Sequence, residues 1–197
     1  MARKLLRVIV VFLMIFIAVY LIFLRERYPI YAVTHSLSVG DSVDSFHNIA
    51  VHNNGLNYPE SHGKNYSADG DYYGKKWQCV EFIKRYYYDY YHFKFPDGFG
   101  DAASFYDENI ESGKLNKRRG LLQFKNGCAE KPKEGDILVF GGKFGHVAIV
   151  TDASADEIEV IQQNIYMSPR VKFKMSYRNG SCIVGTSWTP QGWLRIP

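Results

Sequence analysis

Cys79 stands where Tyr73-Gly74-Lys75-Lys76-Trp77-Gln78 gives way to Val80-Glu81-Phe82-Ile83, and His146 where the glycine-rich stretch from Gly141 to Gly145 gives way to Val147-Ala148-Ile149-Val150. A thiol attacks only as thiolate. The first turn of a helix favours that anion through its unpaired N–H groups and a partial positive charge of roughly half a unit. The Cys79 N–H can also hold the oxyanion that forms when an amide carbonyl is attacked. An imidazole at the mouth of an apolar strand can take the thiol proton and later give one to the leaving amine. Such a base needs a partner that fixes its tautomer. By strand alternation Gln162 and Asn164 share one face and Glu157 and Glu159 the other, so either amide oxygen can accept from the imidazole. Gln78 is a candidate donor to the oxyanion or the substrate, and Trp77 a candidate wall of the cleft. Alone, a cysteine at a helix start is more often a packing residue and a histidine at a strand mouth more often a cap; the pair is what points to chemistry.

Elements must bring these residues together. Cys79, Phe82, Ile83, Tyr86 and Tyr90 recur at helical spacing, with Lys84, Arg85 and Asp89 off that stripe, which predicts a helix beginning at Cys79. A second helix is expected over Ala102 to Glu111. Asn48 to Val51 reads as a short strand, and Asn53 to Gly74, rich in Gly, Asn, Asp and Tyr, as a long site-forming loop. Strands are expected at Ile137–Phe140, His146–Thr151, Glu157–Gln163, Val171–Met175 and Gly192–Ile196. Helices first and turn-linked strands second give an α+β class, the cysteine helix packed on an antiparallel sheet.

The chain has 197 residues, 46% of them hydrophobic, enough for one domain with a core. Val8 to Leu24 is an unbroken apolar run between basic Met1–Arg7 and Arg25-Glu26-Arg27. It exceeds the usual ~7–15-residue core of a cleaved signal and sits at the short edge of what spans a ~30 Å hydrocarbon core. An N-terminal transmembrane helix is therefore expected within residues 1–27, then a tether over 28–45 and the domain over 46–197. Ala32-Val33-Thr34 is a weak alternative cleavage site. The basic start favours a cytoplasmic amino terminus and a domain on the extracytoplasmic side. Of the 24 Lys/Arg and 20 Asp/Glu, residues 1–27 take five and one, leaving 19 of each beyond. The rest of the chain is neutral and lacks the basic surplus of a nucleic-acid-binding domain. The cysteines Cys79, Cys128 and Cys182 show no metal-ligand spacing, so no zinc site is expected. In an oxidising compartment Cys128 and Cys182 are the pair expected to bridge, with two buried thiols as the alternative.

Four segments, Tyr73 to Phe82 around Cys79, Pro132 to Leu138 with Gly135-Asp136, Gly145-His146-Val147-Ala148-Ile149-Val150, and Gln163-Asn164, together resemble the cysteine, histidine-dependent amidohydrolase/peptidase (CHAP) family of the NlpC/P60 papain-like group. The resemblance covers most of residues 48–196. The order of the segments and the 16-residue step from His146 to Gln162 look most like the amidase domain of glutathionylspermidine synthetase/amidase. It implies a papain-like fold, Cys79 as nucleophile, His146 as base and a third residue at position 162, with no metal or organic cofactor. The chain departs from that amidase in carrying Gln162 where a glutamate is the rule, so the imidazolium loses a countercharge; Asn164 matches a second polar position of CHAP domains. The implied substrate is a peptide or amide, either a bacterial cell-wall (peptidoglycan) cross-link or a γ-glutamyl amide such as glutathionylspermidine. A non-catalytic envelope-binding module that keeps the fold is the competing class, and it requires an unreactive Cys79.

Overall fold

The computed structural model describes residues 2–27, 37–165, 168–185 and 188–197, with residues 2–9 and 23–27 described by backbone alone. The chain divides into two compact units, Met1–Leu37 and Ser38–Pro197.

The first unit contains helix α1, Ala2–Arg27. The apolar side chains from Val10 to Ile22 are largely exposed. The transmembrane helix expected over residues 8–24 is not borne out as a span: the segment is helical, but among the described residues no helix is long and apolar enough to cross a membrane. The apolar run, closed by Arg25-Glu26-Arg27, falls short of the roughly 20 residues that a hydrocarbon core asks of a helix. Residues 28–36, most of the expected tether, lie outside the described residues.

The second unit is α+β and rich in sheet. Its strands are β1 (Ser42–Phe46), β2 (Ile49–His52), β3 (Lys64–Tyr66), β4 (Tyr72–Lys75), β5 (Lys114–Asn116), β6 (Leu121–Lys125), β7 (Ile137–Phe140), β8 (His146–Ala153), β9 (Glu157–Ile161), β10 (Arg170–Arg178), β11 (Ser181–Val184) and β12 (Gly192–Arg195); helix α2 spans Cys79–Tyr91. An antiparallel eight-stranded sheet runs in the order β11-β10-β9-β8-β7-β12-β6-β5, flanked by the ribbons β1-β2 and β3-β4.

The central strands are buried on both faces, which is why β7 and the start of β8 read as continuous apolar runs instead of alternating ones. Alternation still decides what each side chain meets. Ile137, Val139, Val147, Ile149, Ile161 and Leu194 face α2, against Phe82, Ile83, Tyr86 and Tyr87. Leu138, Phe140, Ala148, Val150, Val160 and Trp193 face the other way, toward Phe173, Met175, Cys182 and Val184 of β10 and β11. The helix stripe differs from expectation at two places. Tyr90 is 42% exposed, and Tyr87 takes its place in the core with its hydroxyl donating to the Gly135 carbonyl. Lys84, expected on the outer face, is buried with its ammonium on the Tyr72 and Gly98 carbonyls.

The second helix expected over 102–111 shortens to a single 3₁₀ turn, Ala102–Phe105, with Asp101 accepting from the Ser104 N–H at its start. Asp107 and Asn109 end it by bonding locally, Asp107 Oδ1 accepting from the Asn109 N–H at 3.0 Å. β9 stops at Ile161 rather than Gln163, because Asn164 takes the left-handed conformation at φ 66° and turns the chain. Cys128 and Cys182 are backbone neighbours, the Cys182 N–H donating to the Cys128 carbonyl at 2.7 Å, yet all three thiols are free. Cys182 instead directs its sulfur at Met175 Sδ, 3.8 Å away.

Candidate functional site

Cys79 opens α2 with extended Gln78 before it, so its sulfur lies among N–H groups that have no helical partner. The backbone N–H groups of Val147, Val80 and Cys79 itself all favour the thiolate. Burial outweighs them and pushes the Cys79 thiol up to about 11. Glu81 occupies the first turn, completely buried, and Gly74 passes so close that a Cβ there would come within 3.2 Å of the Glu81 Cα. The glycine at 74 is thus a condition of seating β4 against the helix start.

His146 begins β8, paired with Phe140 of β7. Before it, Gly145 at φ 66° lets the 3₁₀ turn come so close that an added Cβ would lie 2.5 Å from the Ala103 nitrogen; Ala103 N–H donates to the Phe144 carbonyl at 2.9 Å. His146 is 9% exposed, walled by Phe140 and by Trp188, whose ring stacks on Phe140 at 4.1 Å and lies 5.7 Å from the imidazole. That burial drives its pKa down to about 4, against the opposing effect of its hydrogen bond to Gln162.

Gln162 decides the tautomer. Its Nε2 donates to the Ser168 carbonyl at 2.9 Å, which leaves Oε1 as the group 3.0 Å from His146 Nε2. An amide oxygen can only accept, so His146 Nε2 carries the hydrogen and Nδ1 of the neutral ring holds a free lone pair. Of the two amides that sequence alternation left open, Gln162 is therefore the partner of the imidazole. Asn164 is engaged elsewhere: its Oδ1 accepts from Asn54 at 2.8 Å, and its Nδ2 donates to the Tyr58 carbonyl and to Gln78 Oε1 at 3.1 and 2.7 Å.

Gln78 has no proton to spare for an oxyanion, since its Nε2 donates to the Tyr58 and Glu60 carbonyls at 2.9 and 2.6 Å. It pins the loop before β3, expected from sequence to be site-forming, to the start of α2. Trp77 is not a cleft wall either. Its ring packs on His52 at 4.0 Å and beneath Gly40, where an added Cβ would meet the indole nitrogen at 3.3 Å.

Cys79 and His146 open into one cavity of about 730 Å³, walled by Tyr58, Tyr72, Phe99 and Phe144. Gln163, which the alternation argument left aside, is the strut beneath the site. Its Nε2 donates to the Gln78 carbonyl at 3.0 Å and to Glu81 Oε2 at 2.7 Å, while its Oε1 accepts from the His52 N–H at 2.8 Å. Gln163 entered the sequence reading only within the Gln163-Asn164 segment, with no role of its own, and nothing in the pattern announced Trp188.

The site's chemical capacity follows. A thiol at a helix start, an imidazole lining the same cavity, an amide fixing its tautomer and N–H groups around the sulfur are the parts of a nucleophilic acyl transfer. Residues 68–164 match the CHAP domain family. The matched span begins before Cys79 and ends at Asn164, so it holds the thiol, the imidazole and the amide at 162. Over 107 residues the chain is 36% identical to the bifunctional glutathionylspermidine synthetase/amidase of Escherichia coli (strain K12), covering 51% of this chain and 17% of that protein. The protein of the same description from Shigella flexneri matches equally, and trypanothione synthetase of Crithidia fasciculata is 22% identical over 144 residues, 66% of this chain and 22% of its own length. The chain thus spans about a fifth of the relatives it matches. The CHAP match and the amidase relative support a hydrolase of the amidohydrolase/peptidase kind.

The Gln162 geometry carries a prediction of its own. A Gln162→Glu substitution sets a carboxylate oxygen against the Ser168 carbonyl, two acceptors with no hydrogen between them. It is expected to destabilise the protein by about 1–3 kcal/mol, read as a drop in melting temperature, while raising the His146 pKa from its low value in an NMR titration. A variant as stable as the parent would show that the Ser168 carbonyl does not depend on the amide.

Proposed function

We propose that the chain is a cysteine-dependent amidase or peptidase in which Cys79 is the nucleophile, His146 the general base and acid, and Gln162 the residue that holds the imidazole. The observation that carries this reading is the Gln162 amide, whose nitrogen is committed to Ser168 and whose oxygen therefore fixes the proton on His146 Nε2. Nδ1 takes the thiol proton as the sulfur attacks the amide carbonyl. The oxyanion lies among the N–H groups at the start of α2. His146 then returns the proton to the leaving nitrogen, the C–N bond breaks, and a thioester remains. Water, deprotonated by the same nitrogen, hydrolyses the thioester and restores the thiol. No metal or organic cofactor enters these steps.

The proposed substrates are cell-wall peptides or γ-glutamyl amides of the glutathionylspermidine type, the latter suggested by the name of the E. coli relative. Attachment to a membrane through the apolar residues 8–24, with the domain on the extracytoplasmic side of a bacterial envelope, belongs to the same proposal and is supported by that apolar run. The competing reading, a non-catalytic envelope-binding module, is favoured by the 8% exposure of Cys79.

Release of free amine from peptidoglycan fragments and from γ-glutamyl amides by the full chain in detergent separates the readings. Turnover is expected in the parent protein and a loss of at least about 10³-fold in Cys79→Ser; wall binding without turnover supports the module. The pH profile is a further expectation. With the imidazole neutral above about 4, kcat/KM rises through a single acid limb there and stays flat through neutrality, because the thiol, at about 11, is not ionised first. A preformed ion pair would instead give a bell with an alkaline limb. Since the unfolded chain protonates the same imidazole near 6.5, acidification from there toward 4 also lowers stability, and the limb must be read where the fold persists.

A further inference from the structure

The register of the β3-β4 ribbon gives it two different faces. Lys64 pairs with Lys75, Asn65 with Gly74 and Tyr66 with Tyr72, Tyr73 being the extra residue at the irregularity. The Asn65–Gly74 pair faces α2: the Asn65 amide donates to Glu81 Oε1 at 2.8 Å, and Gly74 lies against the Glu81 backbone. By alternation the pairs on either side of it share the opposite face. Tyr72 and Lys75 of that outer face line the cleft that holds Cys79 and His146.

Two features of the outer face are unfavourable without a ligand. Lys64 and Lys75 stand directly opposite each other and exposed, and like charges in that position weaken a ribbon. Of the acids nearby, Glu60 in the loop before β3, Asp71 before Tyr72 and Asp101 on the cleft, none forms an ion pair with either lysine among the described residues. Asp71 acts on buried Lys84 and Asp101 on Arg119, each within reach of another cation. Beside the lysines runs a row of rings, Tyr66 to Tyr72 at 5.2 Å and Tyr72 to Phe99 at 6.0 Å, with Tyr66 and Phe99 exposed. Exposed aromatic surface continuous with a cleft marks a ligand groove. Lys64 and Tyr66 are two residues apart on one strand, about 7 Å by strand rise, which one residue's carboxylate and side chain can span. We propose that the outer face of the β3-β4 ribbon is a substrate subsite that takes a carboxylate between Lys64 and Lys75 and the apolar group next to it on the Tyr66, Tyr72 and Phe99 rings. A bound carboxylate relieves the repulsion between the lysines, and the rings supply contact area at little cost in side-chain freedom. This rests on the amidase reading of the adjoining cleft and adds an anionic, apolar-bodied arm to its substrate.

The test uses the full chain carrying Cys79→Ala, titrated by calorimetry at low salt with acetyl-dialanyl-phenylalanine as the free acid and as its C-terminal carboxamide. The free acid is expected to bind about fivefold more tightly, and the ratio to fall to near one when Lys64→Gln and Lys75→Gln are added. Tyr66→Ala should weaken both peptides about equally and leave the ratio intact. Equal affinities with both lysines present, a preference that survives their removal, or no binding of the free acid at millimolar concentration would each overturn the proposal. The two lysine substitutions should also leave the melting temperature unchanged or raise it by a degree or two, about what removal of a like-charge pair allows; a clear fall would show that the lysines are not in conflict and would count against the subsite. In the protein that keeps both lysines, the preference must fade at about 0.5 M salt, and its persistence overturns the proposal without any lysine variant. Release of amine from peptidoglycan fragments or γ-glutamyl amides by the parent protein is scored separately. No turnover with the binding ratio intact defeats the amidase reading, whereas turnover with a ratio of one defeats the subsite alone.

Discussion

Replacing His146 with alanine is expected to lower kcat/KM by about 10³-fold while leaving the fold in place. The magnitude follows from what remains. Without the imidazole, Cys79 is a thiol that burial holds near 11, and no other base among the described residues lining the cleft, Asp101 aside, can take its proton. At neutral pH that leaves about one molecule in 10⁴ as thiolate, partly offset by the higher nucleophilicity of the more basic sulfur. The ring itself is a modest loss to packing, because Phe140 and Trp188 stack on each other beside it. The cost that does arise is the unpaired Gln162 Oε1, so a small fall in melting temperature accompanies a large fall in rate. Steady-state kinetics with either substrate class, beside a thermal melt, checks both. A fall in rate matched by unfolding would mean that His146 is a structural residue.

The second large effect is on stability. Glu81, completely buried, accepts from Arg85 Nε at 2.6 Å, from Asn65 at 2.8 Å and from Gln163 at 2.7 Å. Removing its carboxylate by Glu81→Ala leaves Arg85, whose side chain is 12% exposed, without its countercharge and strands the buried Gln163 amide and the half-buried Asn65 amide. Breaking a buried pair from one side costs about 3–5 kcal/mol, and Glu81→Ala is expected to lose about that much in chemical denaturation. Activity should fall further than the folded fraction, since Gln163 then loses one of the contacts that fix the Gln78 carbonyl at the start of α2. Glu81→Gln, which keeps an acceptor, should recover part of the stability. Loss below about 1 kcal/mol in Glu81→Ala would show that the network is solvated in solution.

Much of the domain could be read from pattern because the pattern had one dominant cause. Residues 137–140 and 146–151 are buried on both faces, so their strands stand out as apolar runs, and the helix at Cys79 follows from its buried stripe. The ribbon strands β3 and β4 did not, because Lys64–Tyr66 and Tyr72–Lys75 are short and polar and are held by pairing with each other and by Gly74's approach to Glu81. The helix expected at Ala102 failed for a local reason: Asp101 and Asp107 bond the backbone around them and leave only one turn between.

At the site, the pattern offered the thiol and the imidazole as candidates and left the third position open between Gln162 and Asn164, since both lie on one face by alternation. The choice is made by the αL conformation of Asn164 and by the Ser168 carbonyl, which takes the Gln162 Nε2 hydrogen. Gln78 and Trp77, adjacent to Cys79 in sequence, are taken up by the scaffold: the Gln78 amide donates to the Tyr58 and Glu60 carbonyls, and the Trp77 ring packs on His52.

The most direct test of the account is the rate of carboxamidomethylation of Cys79 in the full chain between pH 4 and 9, followed by peptide mass spectrometry, in the parent protein and in His146→Ala. The parent rate is expected to climb with the deprotonation of an imidazole near 4 and then level, and the His146→Ala rate to be far lower at neutrality and to rise steadily toward a thiol near 11. If the two proteins react alike across the range, His146 does not activate Cys79 and the chain is a binding module with a catalytic fold.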